Sequence, residues 1–209
     1  MYLFTRSTRV ANADGMAWAM GMTEHAKRVS GLDIGLWAQV WSPELGRIAW
    51  TTFVPDLATL AAAGDKMATD TAMTEDGAKG AALTTEGMDD GLFNVVHGEI
   101  DASGPQPEYV TTVAAVCANG SLTKGMTTGI EIAQRAEKTT GTPTLFVANV
   151  TGQYGGVAWM SGFADTDALE AAQAAMAADE DWAKQVDKAG SVYAAEPAVT
   201  TQLIHRRIA

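Results

Sequence analysis

The chain is poor in cysteine and in positive charge. One cysteine, Cys117, among 209 residues excludes an intrachain disulfide and any cluster of thiolate ligands. Only 14 Lys and Arg stand against 25 Asp and Glu, a formal net charge of -11. The adjacent basic pairs are Lys27-Arg28 and Arg206-Arg207. This balance excludes the broad basic face that nucleic acid or an anionic membrane requires. No uninterrupted apolar run approaches the roughly 18 residues of a membrane span. Residues Met1 to Ser7 also lack the apolar core of a signal peptide, so the expected location is cytoplasmic. A phosphate-cradling loop is lacking as well, because Gly152 and Gly155-Gly156 precede a strand, not a helix. Hydrophobic residues make up 47% of the chain, enough to build a core.

The sequence repeats itself. Leu36 to Trp50 aligns without a gap on Leu145 to Trp159, an offset of 109 residues. The register continues through Asp56 and Asp165, Leu60 and Leu169, Met67 and Met176, and Asp70 and Asp179. Upstream, after a one-residue slip, Gly15 falls on Gly125 and Gly31 on Gly141. Downstream, Gly80 falls on Gly190, Glu86 on Glu196 and His97 on His205. So long a register marks a duplication. Polar residues with one glycine and two prolines fill Asp101 to Glu108, which reads as a linker. The expected organisation is repeat 1 over 1–100, linker over 101–108 and repeat 2 over 109–209.

Each repeat predicts the order β-α-β-β-α-β. First strands lie at residues 2–10 and 109–117. First helices follow capping residues at Asn12 to Asp14 and at Asn119 to Ser121, and end at Gly31 and Gly141. Hairpins follow, Gly35 to Trp41 with Arg47 to Val54, and Thr144 to Val150 with Gly156 to Phe163. Their turns carry Ser42-Pro43-Glu44 and Thr151-Gly152-Gln153. Alanine-rich helices occupy 56–70 and 166–186, each trailed by a helical turn, and last strands lie at 92–100 and 200–208. The fold class is α+β, two ferredoxin-like repeats. In the hairpins apolar residues occupy both parities, as Leu36, Ala38 and Val40 against Trp37 and Trp41 show. Both sheet faces are therefore covered, and the second repeat's sheet is the expected cover, forming an intrachain barrel.

These features resemble the dimeric α/β-barrel superfamily in tandem form, nearest its NIPSNAP-like and antibiotic-biosynthesis-monooxygenase-like branches. The resemblance rests on the element order, on Ile48-Ala-Trp50 and Val157-Ala-Trp159 ahead of Asp56 and Asp165, and on Asp179-Glu-Asp-Trp182. The first repeat has Asp70-Thr-Ala-Met73 there and lacks the tryptophan. The superfamily holds cofactor-free oxygenases, isomerases, haem-degrading and haem-binding proteins. The resemblance therefore implies a small-molecule site with haem admissible, and it carries over no catalytic residue.

Candidate site residues follow from the repeat. His97 and His205 occupy matching places in the last strands and are the candidate proton-transfer or ligating groups; ordinary strand histidines would look the same. His97 and Glu99 share a strand face and could begin a metal site, but the second repeat has Arg207 in that place and no metal is expected. Trp50 and Trp159 could stack on a planar ligand or simply fill a core. Arg6 could hold a ligand carboxylate, and Asn149 is the polar residue of the second hairpin. Cys117, in an apolar run, reads as packing. His25, beside Lys27-Arg28, reads as a surface residue.

Two functional readings remain. In one, an apolar planar ligand enters a lumen lined by Trp50 and Trp159 with the two histidines nearby, and any activity is that of a monooxygenase or isomerase, cofactor-independent or haem-linked. In the other, the barrel is filled by side chains and the protein is a non-catalytic association module. Pairing into a homo-oligomer through helices or sheet edges is open to both.

Overall fold

Side-chain caps begin five of the six helices among the described residues. The computed structural model describes residues 1–42, 45–99, 104–195 and 200–209. Within them run β1 (Tyr2–Arg9), α1 (Ala13–Ser30), β2 (Gly35–Val40), β3 (Arg47–Val54), α2 (Leu57–Thr69), α3 (Thr71–Gly80) and β4 (Asp89–His97). The series continues with β5 (Tyr109–Val116), α4 (Leu122–Thr140), β6 (Thr144–Asn149), β7 (Gly156–Phe163), α5 (Thr166–Ala178), α6 (Glu180–Ala189) and β8 (Thr201–Arg207). Pro43 and Glu44 of the expected turn, Ile100, linker residues Asp101 to Ser103, and Glu196 lie outside the described residues.

Asn12 accepts the Gly15 amide at the head of α1, and Asp56, Asp70, Asp165 and Asp179 cap α2, α3, α5 and α6 in the same way. Gly31 and Gly141 close α1 and α4 with φ of 76° and 72°, each returning its amide to the carbonyl of Lys27 or Glu137. Ser121 departs from expectation, since it precedes α4 without a side-chain cap bond.

The strands follow the hydrogen-bonded order β1-β3-β2-β8-β5-β7-β6-β4 and close into a barrel. Each repeat contributes a block in ferredoxin-like order, β4-β1-β3-β2 and β8-β5-β7-β6. The α+β expectation holds, with eight strands in one closed sheet and six helices among the described residues. The chain clusters into two compact units, Met1–Phe93 with Arg206–Ala209, and Asn94–His205.

In the first unit Val10, Ala19, Leu36 and Ile48 form a buried cluster against which Trp18 and Trp50 pack. Trp18 meets Trp50 edge to face at 5.9 Å and donates its indole N–H to the Asp76 carbonyl at 2.8 Å. Its ring lies so close to Gly80 that a Cβ there would stand 2.1 Å from it. The second unit centres on Ile132, Ala133, Phe146, Val157 and Val192. Here the fully buried Phe146 lies against Gly129, where a Cβ would again stand 2.1 Å from the ring.

Pairing corrects the repeat alignment in two places. Leu36 lies opposite Trp50, and Phe146 lies opposite Trp159. Leu36 therefore corresponds to Phe146, not Leu145, and the one-residue slip falls in the hairpin loop. Side chains alternate between faces, so an ungapped register would turn one tryptophan's neighbour to the wrong side. Trp41, expected on the strand, has left it with φ of 50° and is exposed. At the ends of α3 and α6, Leu83 N–H bonds the Gly80 carbonyl while Val192 N–H bonds that of Ala189. The counterpart of Gly80 is thus Ala189, not Gly190.

Gly80→Ala should drive a methyl into the Trp18 ring and cost about 1–3 kcal/mol in chemical denaturation. Gly77→Ala, on the same helix with nothing within 4 Å of its Cβ position, should leave stability equal or higher. Equal stability of Gly80→Ala and the parent would contradict the packing described.

Candidate functional site

The second unit contains a cavity of about 880 Å³ between its sheet and its helices. Alternate residues of β5 (Thr111, Val113, Ala115) and β7 (Trp159, Ser161, Phe163) form the floor, as strand alternation requires. Ile132 and Ala136 of α4, Leu169 and Met176 of α5, and Trp182 and Val186 of α6 form the walls. Exposed Gln173 and Gln202 supply neutral amides at its edge. Tyr193 is the one titratable residue among the described lining residues, and its hydroxyl donates to the Gly125 carbonyl at 2.8 Å. Burial pushes that phenol far above its ordinary value.

Trp159 is held on three sides. It stacks on Phe146 at 5.2 Å, meets Tyr193 edge to face at 5.4 Å, and donates its N–H to the Gly129 carbonyl at 2.8 Å. Of the six residues singled out in the sequence, only Trp159 lines this cavity. Trp50 faces α1 in its own unit, donating its N–H to Thr23 Oγ1 at 2.9 Å. Both tryptophans thus face helices, which departs from the expectation that they line a lumen together with the histidines.

His97 and His205 stand on β4 and β8, and three strands, β5, β7 and β6, separate them in the sheet. His97 Nε2 lies 3.5 Å from Glu137 Oε2 without an aligned hydrogen bond. His205 is hydrogen-bonded to the Val110 backbone. Arg6 already grips a carboxylate, the chain's own Asp90, through two bonds of 2.7 Å. Asn149 donates to the Gln153 carbonyl at 3.2 Å and shapes the hairpin turn. Cys117 is buried and its thiol is pushed up by that burial, in keeping with packing.

No described protein family matches the chain, and no curated protein sequence matches it. Solved structures match the fold end to end. A provisionally assigned monooxygenase from Fusobacterium nucleatum superposes with a TM-score of 0.73 at 8% identity, covering 100% of this chain and 92% of its own. An anthrone oxidase-like protein gives 0.67 at 11% identity, covering 100% and 91%. A haem-binding protein from Thermus thermophilus gives 0.54 at 10%, covering 100% and 91%. The fold is that of the dimeric α/β-barrel proteins. Two of these three neighbours are monooxygenase- or oxidase-like by name and none is NIPSNAP-like. No helix among the described residues is long and apolar enough to cross a membrane.

Sequence reasoning about this α/β barrel missed what fixes the cavity wall. Asp179 caps α6 by accepting the Asp181 and Trp182 amides, and it also accepts from Arg135 and, at 2.6 Å, from Thr139 Oγ1. These donors hold its carboxyl well below the usual range, the Arg135 bond first. The clamp ties the start of α6 to α4 and so sets Trp182 over the cavity. In the first unit His25 takes the place of Arg135, 3.3 Å from Asp70 and 3.6 Å from Asp76. Its side chain is only 11% exposed, so His25 is an inter-helix residue and not the surface residue expected. The clue was Asp70 and Asp179 recurring in register, each facing a basic residue one helix away.

Burial holds the His205 imidazole below its ordinary value, and the bond to Val110 offsets part of this. As pH falls past about 6.5 the unfolded chain takes up the proton before the folded one does. The stabilising contribution is therefore complete above that pH and is lost as pH falls through the depressed folded value. Thermal midpoints should drop between about pH 7 and 5, and His205→Gln should flatten that drop. An unchanged slope would refute the assignment.

Proposed function

We propose that this α/β barrel binds one uncharged, largely apolar small molecule, planar in part, in the cavity of its second unit. The observation that carries the reading is the lining itself. A space of about 880 Å³ is walled by aliphatic side chains and by Trp159 and Trp182, with hydroxyls and amides as its polar groups. Burying a charged group there would leave it without a counter-ion. Trp159 is the site residue of this proposal, with Trp182 added to it. Haem does not fit the described lining, which offers no imidazole, thiolate or carboxylate to iron and no Lys or Arg to propionates, and the Tyr193 hydroxyl is already engaged. Any oxygenase chemistry in the cavity would then be cofactor-independent and would draw its acidity from the ligand, since the described lining supplies no base. The repeat boundaries at 1–100 and 109–209 belong to the same proposal. The second reading, an association module, is favoured only by the first unit, where Trp18 and Trp50 fill the space beneath the helices.

2-Naphthol, neutral at pH 7, is a suitable test ligand. Calorimetry should show one site per chain. Leu169→Trp, which fills the cavity, should weaken binding at least about tenfold, while Trp50→Ala should leave it unchanged. Haemin should show no absorption band that depends on His97 or His205. Absence of 2-naphthol binding, or binding indifferent to Leu169→Trp, would overturn the proposal in favour of the association module.

A further inference from the structure

The two repeats differ at one slot between the first and last helices of each. In the first unit Trp18 projects from α1 over the end of α3, bonded to the Asp76 carbonyl and pressed on Gly80. The matched glycines Gly15 and Gly125 and the matched caps Gly31 and Gly141 make Thr128 the counterpart of Trp18. The hydrogen bonds closing α3 and α6 make Gln185 and Ala189 the counterparts of Asp76 and Gly80. Thr128, Gln185 and Ala189 all line one groove of about 630 Å³ between α4 and α6. The second unit thus leaves open the slot that the first fills with an indole, and buried Ala189 and Val192 form its floor.

The charge at this slot has also been reversed. Asp14, Glu75 and Asp76 of the first repeat become Lys124, Lys184 and Gln185 of the second, while Lys79 persists as Lys188. The groove therefore carries three lysines against a single carboxylate, Glu131, on a chain of net charge -11. Lys184 lies 3.7 Å from Glu180 and 3.5 Å from Asp181. Lys124 and Lys188 have no carboxylate within 4 Å among the described residues.

We propose that the α4–α6 groove is a binding site for an aromatic carboxylate, its ring in the slot that Trp18 fills in the first repeat and its anionic group among Lys124, Lys184 and Lys188. The first repeat shows the ring size that the slot accepts. The lysines supply a positive focus on a chain of net charge -11, and this draws an anion to the groove. The groove adjoins the neutral cavity at Ala189, which lines both, but calls for an anionic ligand where the cavity calls for an uncharged one.

Indole-3-acetate tests the site, with 3-methylindole as its uncharged counterpart, in titrations followed by amide chemical shifts and calorimetry. Indole-3-acetate should bind saturably, one per chain, shifting residues of α4 and α6. Lys124→Glu and Lys188→Glu, both at exposed positions, should each weaken it about fivefold or more without changing the thermal midpoint. Binding of 3-methylindole in the groove should be weaker and unaffected by either charge reversal. Thr128→Trp with Ala189→Gly, which rebuilds the first repeat's filled slot, should abolish binding of indole-3-acetate; Ala189 lines the cavity as well, so the cavity control is Lys188→Glu, which should leave 2-naphthol binding untouched. No saturation at millimolar indole-3-acetate overturns the proposal. So does binding that survives the lysine reversals, and should the double variant fail to fold, those reversals decide alone.

Discussion

A tryptophan at the centre of each repeat's third strand must place its indole N–H on an acceptor beneath a helix, because an unpaired buried N–H is costly. Both repeats use the same carbonyl. Trp159 donates directly to the carbonyl of Gly129. Trp50 donates to Thr23, whose hydroxyl passes the bond to the carbonyl of Ala19, the counterpart of Gly129. The direct bond goes with a glycine in the helix, and that glycine also admits Phe146. The relay goes with a buried threonine where the second repeat has Ala133. Helix position, the neighbour on the second strand and the filling beneath the helices all adjust around this one bond.

Much of the fold was legible because it is local. The cap at Asn12 and the left-handed glycines at 31 and 141 mark helix ends by themselves, whereas the cap at Asp179, which divides the stretch expected as one helix over 166–186 into α5 and α6, went unread. Double-parity apolar strands revealed that both sheet faces are covered, and the closed strand order follows. Which face of a strand meets the helices was not legible, because apolar residues sit on both. Trp50 and Trp159 were therefore assigned to a lumen when they lie under helices. Arg6 could not be seen to have a partner, since Asp90 is 84 residues away. His25 looked exposed beside two basic residues, but only the packing of α1 on α3 decides which side of the helix is covered. The α4–α6 groove escaped notice for a related reason: it is opened by what Thr128 lacks relative to Trp18.

The duplication has let two solutions of one packing problem diverge. The first repeat spends two indoles on its own interior and binds its helices with His25 between two aspartates. The second replaces that histidine by Arg135 on Asp179, removes one indole and adds another at Trp182 on the opposite wall. A symmetric homodimer cannot make this exchange, because any substitution that opens one half opens the other. Fusing the halves in one chain removes that constraint.

The backbone of Leu36 exchanges hydrogen bonds with Ile208 and Ala209, and the Arg207 guanidinium lies 6.0 Å over the Trp37 ring. The first unit is completed by residues more than a hundred positions downstream of its own hairpin. During synthesis on a ribosome its sheet must therefore wait, with one edge unpaired, until the last of these residues emerges. Closing so long a loop is slow, and an unpaired edge can join another chain in the meantime. Order of synthesis, as much as equilibrium stability, thus governs how safely the first half reaches its native state.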